Sequence, residues 1–263
     1  MIDRDLLEQV HDRSYVATVE KACAAGAAAL DADTTICTES HEVASLAAGA
    51  LTELCSQVAD GNLDAGFAAI RPSGHLAERD RAMGFCLYNN IAVAAVALLD
   101  RLDVERILVV DWDVHHGNGT QHIFEVDSRV FYFSVHQSPL YPGTGAVDET
   151  GTGPGAGYTL NRPLPPGSGD GPFLSALEVD LTQAADRFAP DFVLDSAGFD
   201  AHLSDPHAGL TVSTAGFGRA TEFVRTFAAR HAGGRLVSVL EGGYDLQAMP
   251  ESAAAHLAGL LRS

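Results

Sequence analysis

Apolar positions along this chain alternate between two textures. Short runs rich in β-branched and aromatic residues predict strands at Gly66–Arg71, Arg106–Asp113, Val130–His136, Asp191–Ala197 and Arg235–Glu241. Longer Ala/Leu-rich runs of helical period predict helices over Asp5–Ala25, Ser40–Asp60, Asn90–Asp103, Gly171–Phe188, Ser213–His231 and Leu246–Leu261. Nearly continuous apolar strands separated by helices are the mark of a parallel α/β sheet covered on both faces. The stretch Gly143–Gly171 breaks the rhythm. Its glycines and prolines predict a long ordered loop with one short strand near Tyr158–Asn161. Because the alternation resumes beyond it, one domain over residues 1–263 is expected.

Composition narrows the function. The 263 residues are 46% hydrophobic and 19% charged, enough apolar surface for a full core. Sixteen Lys and Arg against 35 Asp and Glu give a net charge of −19. That surface repels phosphate backbones, so nucleic acid is not an expected partner. No apolar run has the length of a membrane span and no secretory leader is visible, so a cytoplasmic location and no membrane partner are expected. Cys23, Cys37, Cys55 and Cys86 show no C-x-x-C spacing, which argues against a disulfide framework or a cysteine zinc site.

In parallel sheets ligands bind beyond the carboxyl ends of the strands. There the chain carries R-P-S-G-H ending at His75, V-D-W-D-V-H-H over 110–116, S-V-H ending at His136, D-S-A-G-F-D ending at Asp200, and L-E-G-G-Y ending at Tyr244. Strand alternation would turn Asp111, Asp113 and His115 to one face, with Trp112 and Val114 on the other. Two carboxylates and an imidazole at a buried strand end repel one another unless a cation joins them. Asp113, His115 and Asp200 then form an Asp-His-Asp set that neutralises a dication and leaves positions open for water and substrate. The donor mix suits Zn²⁺, with Fe²⁺ next, better than Mg²⁺. Tyr244, on a Gly-Gly turn, is a candidate oxyanion donor. His136 reads as a core histidine contacting a carbonyl. His202 and His207 lie in a loop near the mouth of the site.

These stretches resemble the histone deacetylase family, in particular its class II-like bacterial members and the acetylpolyamine amidohydrolases. Five motifs match in family order: 71–90, 110–121, 134–145, 196–206 and 240–246. The resemblance implies an arginase-deacetylase α/β fold and zinc-dependent hydrolysis of an acylated lysine or other amine. It implies zinc ligands at Asp113, His115 and Asp200, catalytic roles for Tyr244 and His75, and Asp111 as the carboxylate that orients His75. Gly84, Phe85 and Tyr141 would line an acyl-lysine tunnel. A structural K⁺ would sit among Asp111, Asp113, His115 and Ser134.

Two departures stand out. Where the family has G-H-H-A, this chain has Gly74-His75-Leu76-Ala77, so the second histidine, usually the general acid/base, is Leu76. Such groups contribute roughly 10²–10⁴ in rate, so weak activity is expected. The alternative is an impaired, metal-binding pseudo-deacetylase that recognises acylated ligands; a binuclear arginase-like enzyme is a third reading. The family's usual first strand and His-Pro loop are also absent before Leu6, which would expose apolar surface and favour homo-oligomers.

Overall fold

The computed structural model describes residues 2–101, 104–183 and 188–262. Six strands form one wholly parallel sheet: β1 (Ala65–Ala68), β2 (Ile107–Asp111), β3 (Val130–Gln137), β4 (Thr159–Leu164), β5 (Phe192–Ala197) and β6 (Leu236–Leu240). Their spatial order is β1-β6-β5-β2-β3-β4. One face is covered by α1 (Arg4–Val10), α2 (Arg13–Ala24), α3 (Ser40–Ala59) and α4 (Asn90–Arg101), with Leu6, Val16, Leu51 and Ile91 packed on Val109 and Tyr132. The other face carries α6 (Asp170–Ser175), α7 (Thr214–His231) and α8 (Ala248–Leu260), where Phe173, Phe217 and Val224 meet Leu108 and Val110. The expected α/β class with a parallel sheet flanked by helices is the one observed.

Several elements differ from the sequence pattern. The run Asp5–Ala25 is two helices, broken where His11 turns to extended backbone (φ −111°, ψ 145°). The break lets the buried His11 ring bridge two segments: Nδ1 lies 2.8 Å from the Glu78 carbonyl, and Nε2 accepts from Asn89 N–H at 2.9 Å. Apolar periodicity passes over it because Val10 and Val16 face the same core. A helix unforeseen in the sequence, α5 (Asn118–Phe124), is buried at six of its seven positions and so presents no amphipathic stripe. The run from Gly171 opens as α6 and continues through a π turn at Ala176–Leu181; residues 184–187 lie outside the described residues, as does the Asp103 end expected for α4. The long Gly/Pro loop is ordered and carries β4 on the sheet edge, running to Leu164 rather than ending at Asn161 as expected.

This topology decides where the site sits. The chain leaves β2 toward β3, yet β5 pairs on the other side of β2. The strand order therefore reverses at the β2/β5 boundary, where a crevice opens beyond the strand ends. In register, Asp111 lies between Ser134 of β3 and Ser196 of β5.

Asp195 sits awkwardly in this sheet. It occupies the middle of β5 at 1% exposure, in register with Val110 and Ser238, and neither carboxylate oxygen has a hydrogen-bond partner among the described residues. Ser238 is engaged with His256 at 2.7 Å instead. Burial, then the charges of Asp111 and Glu241, push the Asp195 carboxyl well above the usual carboxylate range. The folded chain thus keeps a proton that the unfolded chain releases, so stability falls as pH rises above that range. Asp195→Val is expected to stabilise the protein by roughly 1–3 kcal/mol, the cost of an unsatisfied buried polar group. The melting temperature should rise by several degrees, and the gain should grow with pH; an unchanged melting temperature at pH 8 would refute this account of the residue.

Candidate metal centre and cavity

Asp113 and His115 follow β2, and Asp200 follows β5. Strand β2 ends at Asp111, so Asp113 and His115 lie on a turn rather than on the strand that their alternation implied. Side chains hold that turn. Asp111 Oδ1 accepts from Asp113 N–H at 3.2 Å, Asp113 Oδ1 from His115 N–H at 2.9 Å, and Asp200 Oδ1 from Val114 N–H at 2.9 Å. Trp112 and Val114 are buried in the α7 face, so the inside-outside alternation survives the end of the strand.

The three side chains converge. One ligand atom from each of Asp113, His115 and Asp200 lies within 4.8 Å of the others, an arrangement able to hold a metal ion. His115 Nδ1 is 3.1 Å from Asp113 Oδ1 and 3.2 Å from Asp200 Oδ2. Apart from that approach to His115, Asp200 Oδ2 is buried without a partner among the described residues. The backbone stands close around them: a Cβ on Gly198 would strike Asp113, and one on Gly242 would strike both Asp113 and Asp200. A buried carboxylate oxygen that meets only His115 among the described residues, two further ligand atoms beside it and glycines that keep the space clear fit a dication.

The charges reflect its chemistry. Burial alone would lower the His115 pKa, but its bonds to Asp113 and Asp200 and their charges lift it to about 10. Burial and the Asp113 charge raise Asp200 to about 6, against the pull of His115. Burial would raise Asp113 too, but the nearby His75 charge and the bonds to His115 hold it well below the usual carboxylate range.

A second buried group flanks the triad. His75 Nδ1 lies 3.0 Å from Asp111 Oδ2, which also accepts from the Tyr132 hydroxyl at 2.9 Å. With Nδ1 held there, Nε2 turns toward Asp113 Oδ1, 3.6 Å away. Glu241, to which the sequence reading gave no role, fixes the loop beneath His75. Its Oε2 accepts from Gly74 N–H at 2.7 Å and His75 N–H at 3.3 Å, and its Oε1 from the Ser196 hydroxyl at 3.1 Å. Its sole signal in the sequence was an acidic residue closing an apolar strand. Tyr132 gave none, since it reads as a core aromatic. Ser134, beside Asp111 in register, lies 2.9 Å from His136 Nδ1, and His136 Nε2 reaches the Gly145 carbonyl at 3.1 Å, as expected of a core histidine.

Above the triad opens a cavity of about 230 Å³ whose lining includes His75, Leu76, Phe85, Tyr141, His207 and Tyr244. Gly84-Phe85 forms a two-residue turn closed by reciprocal Met83–Cys86 hydrogen bonds of 3.2 and 3.0 Å. Both residues have positive φ (56° and 68°), which glycine accepts freely and phenylalanine rarely. The turn sets Phe85 edge-on to Tyr244, ring centroids 6.1 Å apart. Tyr141 similarly stands edge-on to His115 at 6.4 Å. The Tyr244 N–H is anchored on Asp205 at 2.8 Å, and burial drives its phenol pKa strongly upward, so it remains a donor. Leu76 is 4% exposed and packs against Gly84. Asn118 does not reach the cavity chemistry: its amide donates to Glu78 at 2.6 Å. His202 is tied to Thr214 at 3.2 Å, whereas His207 reaches the cavity and lies 4.5 Å from the Tyr244 ring. Asp33, unremarked in the sequence, also lines the cavity and accepts from Gly84 N–H at 3.3 Å.

Comparison with known proteins bears on this arrangement. A family model described as histone deacetylase domain matches residues 1–260. A probable deacetylase of Archaeoglobus fulgidus is 42% identical over 243 residues, which are 92% of this chain and 67% of that protein. Histone deacetylase 18 of Arabidopsis thaliana is 46% identical over 231 residues, covering 84% of this chain and 33% of the relative. Histone deacetylase 10, chloroplastic, of Oryza sativa subsp. japonica is 42% identical over 261 residues, covering 95% and 59%. The chain thus spans between a third and two thirds of the length of these relatives. The crystal structure of the HDA15 HD domain matches with a TM-score of 0.93 at 40% identity, over 100% of this chain and 76% of that one.

Glu241→Ala should cost about 1–3 kcal/mol for each donor it orphans at Gly74 and Ser196. Glu241→Gln should recover most of that, because its amide oxygen can face Gly74 while the serine hydroxyl reverses. Thermal melts of the three proteins measure this; an alanine variant as stable as the parent would refute the clamp.

Proposed function

Because the chain belongs to the histone deacetylase family, we propose that it is a metal-dependent hydrolase that removes an acyl group from an amine, an acetylated lysine side chain or a small acylated amine. The observation that carries this reading is the convergence of Asp113, His115 and Asp200 at the base of a cavity that Tyr244 also lines. Two carboxylates balance a dication, and the mixture of oxygen and nitrogen donors suits Zn²⁺, then Fe²⁺. Held there, Zn²⁺ supplies Lewis acidity and lowers the pKa of a water toward ~7.

The chain's own groups do the rest. Gly84, Phe85 and Tyr141 wall the cavity and strip water from the substrate's alkyl arm. Tyr244 donates its phenol to the acyl oxygen as negative charge grows there, a contribution of roughly 10²–10³ in rate for one such donor. Asp111 holds His75 through Nδ1, leaving Nε2 to take the proton of the attacking water. A structural K⁺ would be held by Asp111, Asp113, His115 and Ser134. No helix among the described residues is long and apolar enough to cross a membrane.

Leu76 favours a second reading. An alkyl side chain beside His75 cannot carry a proton, which is consistent with a chain that binds metal and acylated ligands but turns them over slowly. Purified protein should contain about one Zn²⁺ or Fe²⁺ per chain, lost on Asp200→Ala. Two ions per chain would instead favour an arginase-like centre. With the His115 pKa near 10 in the metal-free chain, uptake of Zn²⁺ at pH 8 should release about one proton per ion. Calorimetry in buffers of different ionisation enthalpy measures that release; metal binding with no proton released would contradict the triad as ligand set.

A further inference from the structure

A hydrogen-bond donor helps a reaction only from the right place. It serves a developing oxyanion from about 2.7–3.1 Å, and a displacement of about 1 Å costs roughly 10² in rate. What fixes Tyr244 is therefore part of the chemistry. The chain is secured before and after this residue. Gly242 N–H donates to Asp113 Oδ2 at 2.7 Å, and the Gly242 carbonyl accepts from Phe199 N–H at 2.9 Å. Asp245 Oδ1 accepts from the N–H groups of Gln247 and Ala248 at 3.0 and 2.6 Å, at the start of α8. Between these points Gly243 has a φ of 138°, a conformation open to glycine and to few other residues, and a natural swivel. The single hydrogen bond that Tyr244 makes among the described residues is from its own N–H to Asp205 Oδ2, at 2.8 Å.

Asp205 is built into the fold to receive it. The residue is 8% exposed and lies on the loop that follows Asp200. That loop is itself pinned: Val212 N–H donates to the Ala201 carbonyl at 3.1 Å, and Leu203 N–H to the Val212 carbonyl at 3.0 Å. Asp205 Oδ1 accepts from His207 N–H at 2.9 Å, the local turn that aspartate commonly forms. Oδ2 takes no part in that turn and reaches across 39 residues to Tyr244. One carboxylate thus gives the His207 and Tyr244 backbones a common frame, and their rings stand 4.5 Å apart at the cavity.

We propose that Asp205 is a positioning residue for the deacylation: through the Tyr244 N–H it holds the phenol where the acyl oxygen gains charge. This deepens the hydrolase reading above and rests on it. Asp205 touches no reacting atom. Without its Oδ2, the segment is tied only at Gly242 and Asp245, Gly243 swivels between them, and the phenol leaves its place. Phe85 and Tyr141 are carried by other loops and keep theirs, as do Asp113, His115 and Asp200. The loss therefore falls on kcat and not on the binding of substrate or metal.

The test compares Asp205→Ala, Tyr244→Phe and the double variant with the parent, each as the zinc-loaded full chain acting on an acetyl-lysine peptide. Asp205→Ala should lower kcat by about 10–10², with KM changed less than about threefold and zinc content unchanged. Tyr244→Phe should lower kcat by about 10²–10³. The double variant should lie within about threefold of Tyr244→Phe, because a residue that acts through the phenol has nothing to place once the phenol is gone. Losses that multiply in the double variant overturn the proposal, as does an unchanged kcat in Asp205→Ala or a loss confined to KM. Amide hydrogen exchange reads the tie without turnover. The Tyr244 amide should be protected in the parent and exchange at least about tenfold faster in Asp205→Ala, while the Gly242 amide stays protected. A Tyr244 amide that exchanges freely in the parent overturns the proposal even if Asp205→Ala does not fold. A zinc-loaded parent that hydrolyses no acylated amine overturns the hydrolase reading instead, and the exchange result still decides whether Asp205 holds Tyr244.

Discussion

Buried negative charge at the carboxyl ends of β2 and β5 is the constraint around which this molecule is organised. Asp111, Asp113, Asp200 and Glu241 are each at 0% exposure and crowd one end of a parallel sheet. Such a group is tolerable only if each carboxylate finds a donor or a cation. His75 and Tyr132 answer Asp111; Gly74, His75 and Ser196 answer Glu241; the backbone N–H groups of His115 and Gly242 answer the two oxygens of Asp113, and that of Val114 answers one oxygen of Asp200. What is left is Asp200 Oδ2, facing His115, and this buried oxygen beside a second carboxylate is what makes the place a candidate cation site.

The same constraint explains the glycines and the turns. Carboxylates this close to the backbone leave no room for a Cβ at Gly198 or Gly242, so those positions follow from the charges as much as from the fold. The Gly84-Phe85 turn bears conformational strain at Phe85 to put an aromatic wall over the cavity, and strained backbone of this kind collects where a ligand is shaped. Charge and shape are supplied by different segments, the first by strand ends and the second by loops, so either can change without the other. Leu76 is an instance: it gives the cavity an alkyl wall beside His75 while the Asp113–His115–Asp200 cluster stays intact.

Asp195 shows that not every buried carboxylate here belongs to the site. It lies on the opposite face of the sheet from Asp111, with no donor among the described residues, and burial pushes its carboxyl well above the usual range. The contrast with Asp200, five residues on, is instructive. The same residue type on the same segment is a ligand candidate at the strand end and a liability in the strand middle, because only at the end does the backbone open toward other charged groups.

Much was legible before any coordinates. The five apolar strand runs, the ordered Gly/Pro loop and the gathering of Asp113, His115, Asp200 and Tyr244 beyond strand ends follow from local pattern, since period, strand length and turn chemistry are properties of neighbouring residues. The motif resemblance pointed to the family that the comparisons then matched. Other features were decided only by tertiary structure. The helix break at His11, the buried α5, the clamp of Glu241 on Gly74 and the hydroxyl of Tyr132 on Asp111 all depend on partners 21 to 167 residues away, or on burial from every side. Sequence determined which residues carry charge and protons and at which end of the sheet they emerge; the fold alone decided which of them face one another, because distance between side chains is set by packing across the chain and not by order along it.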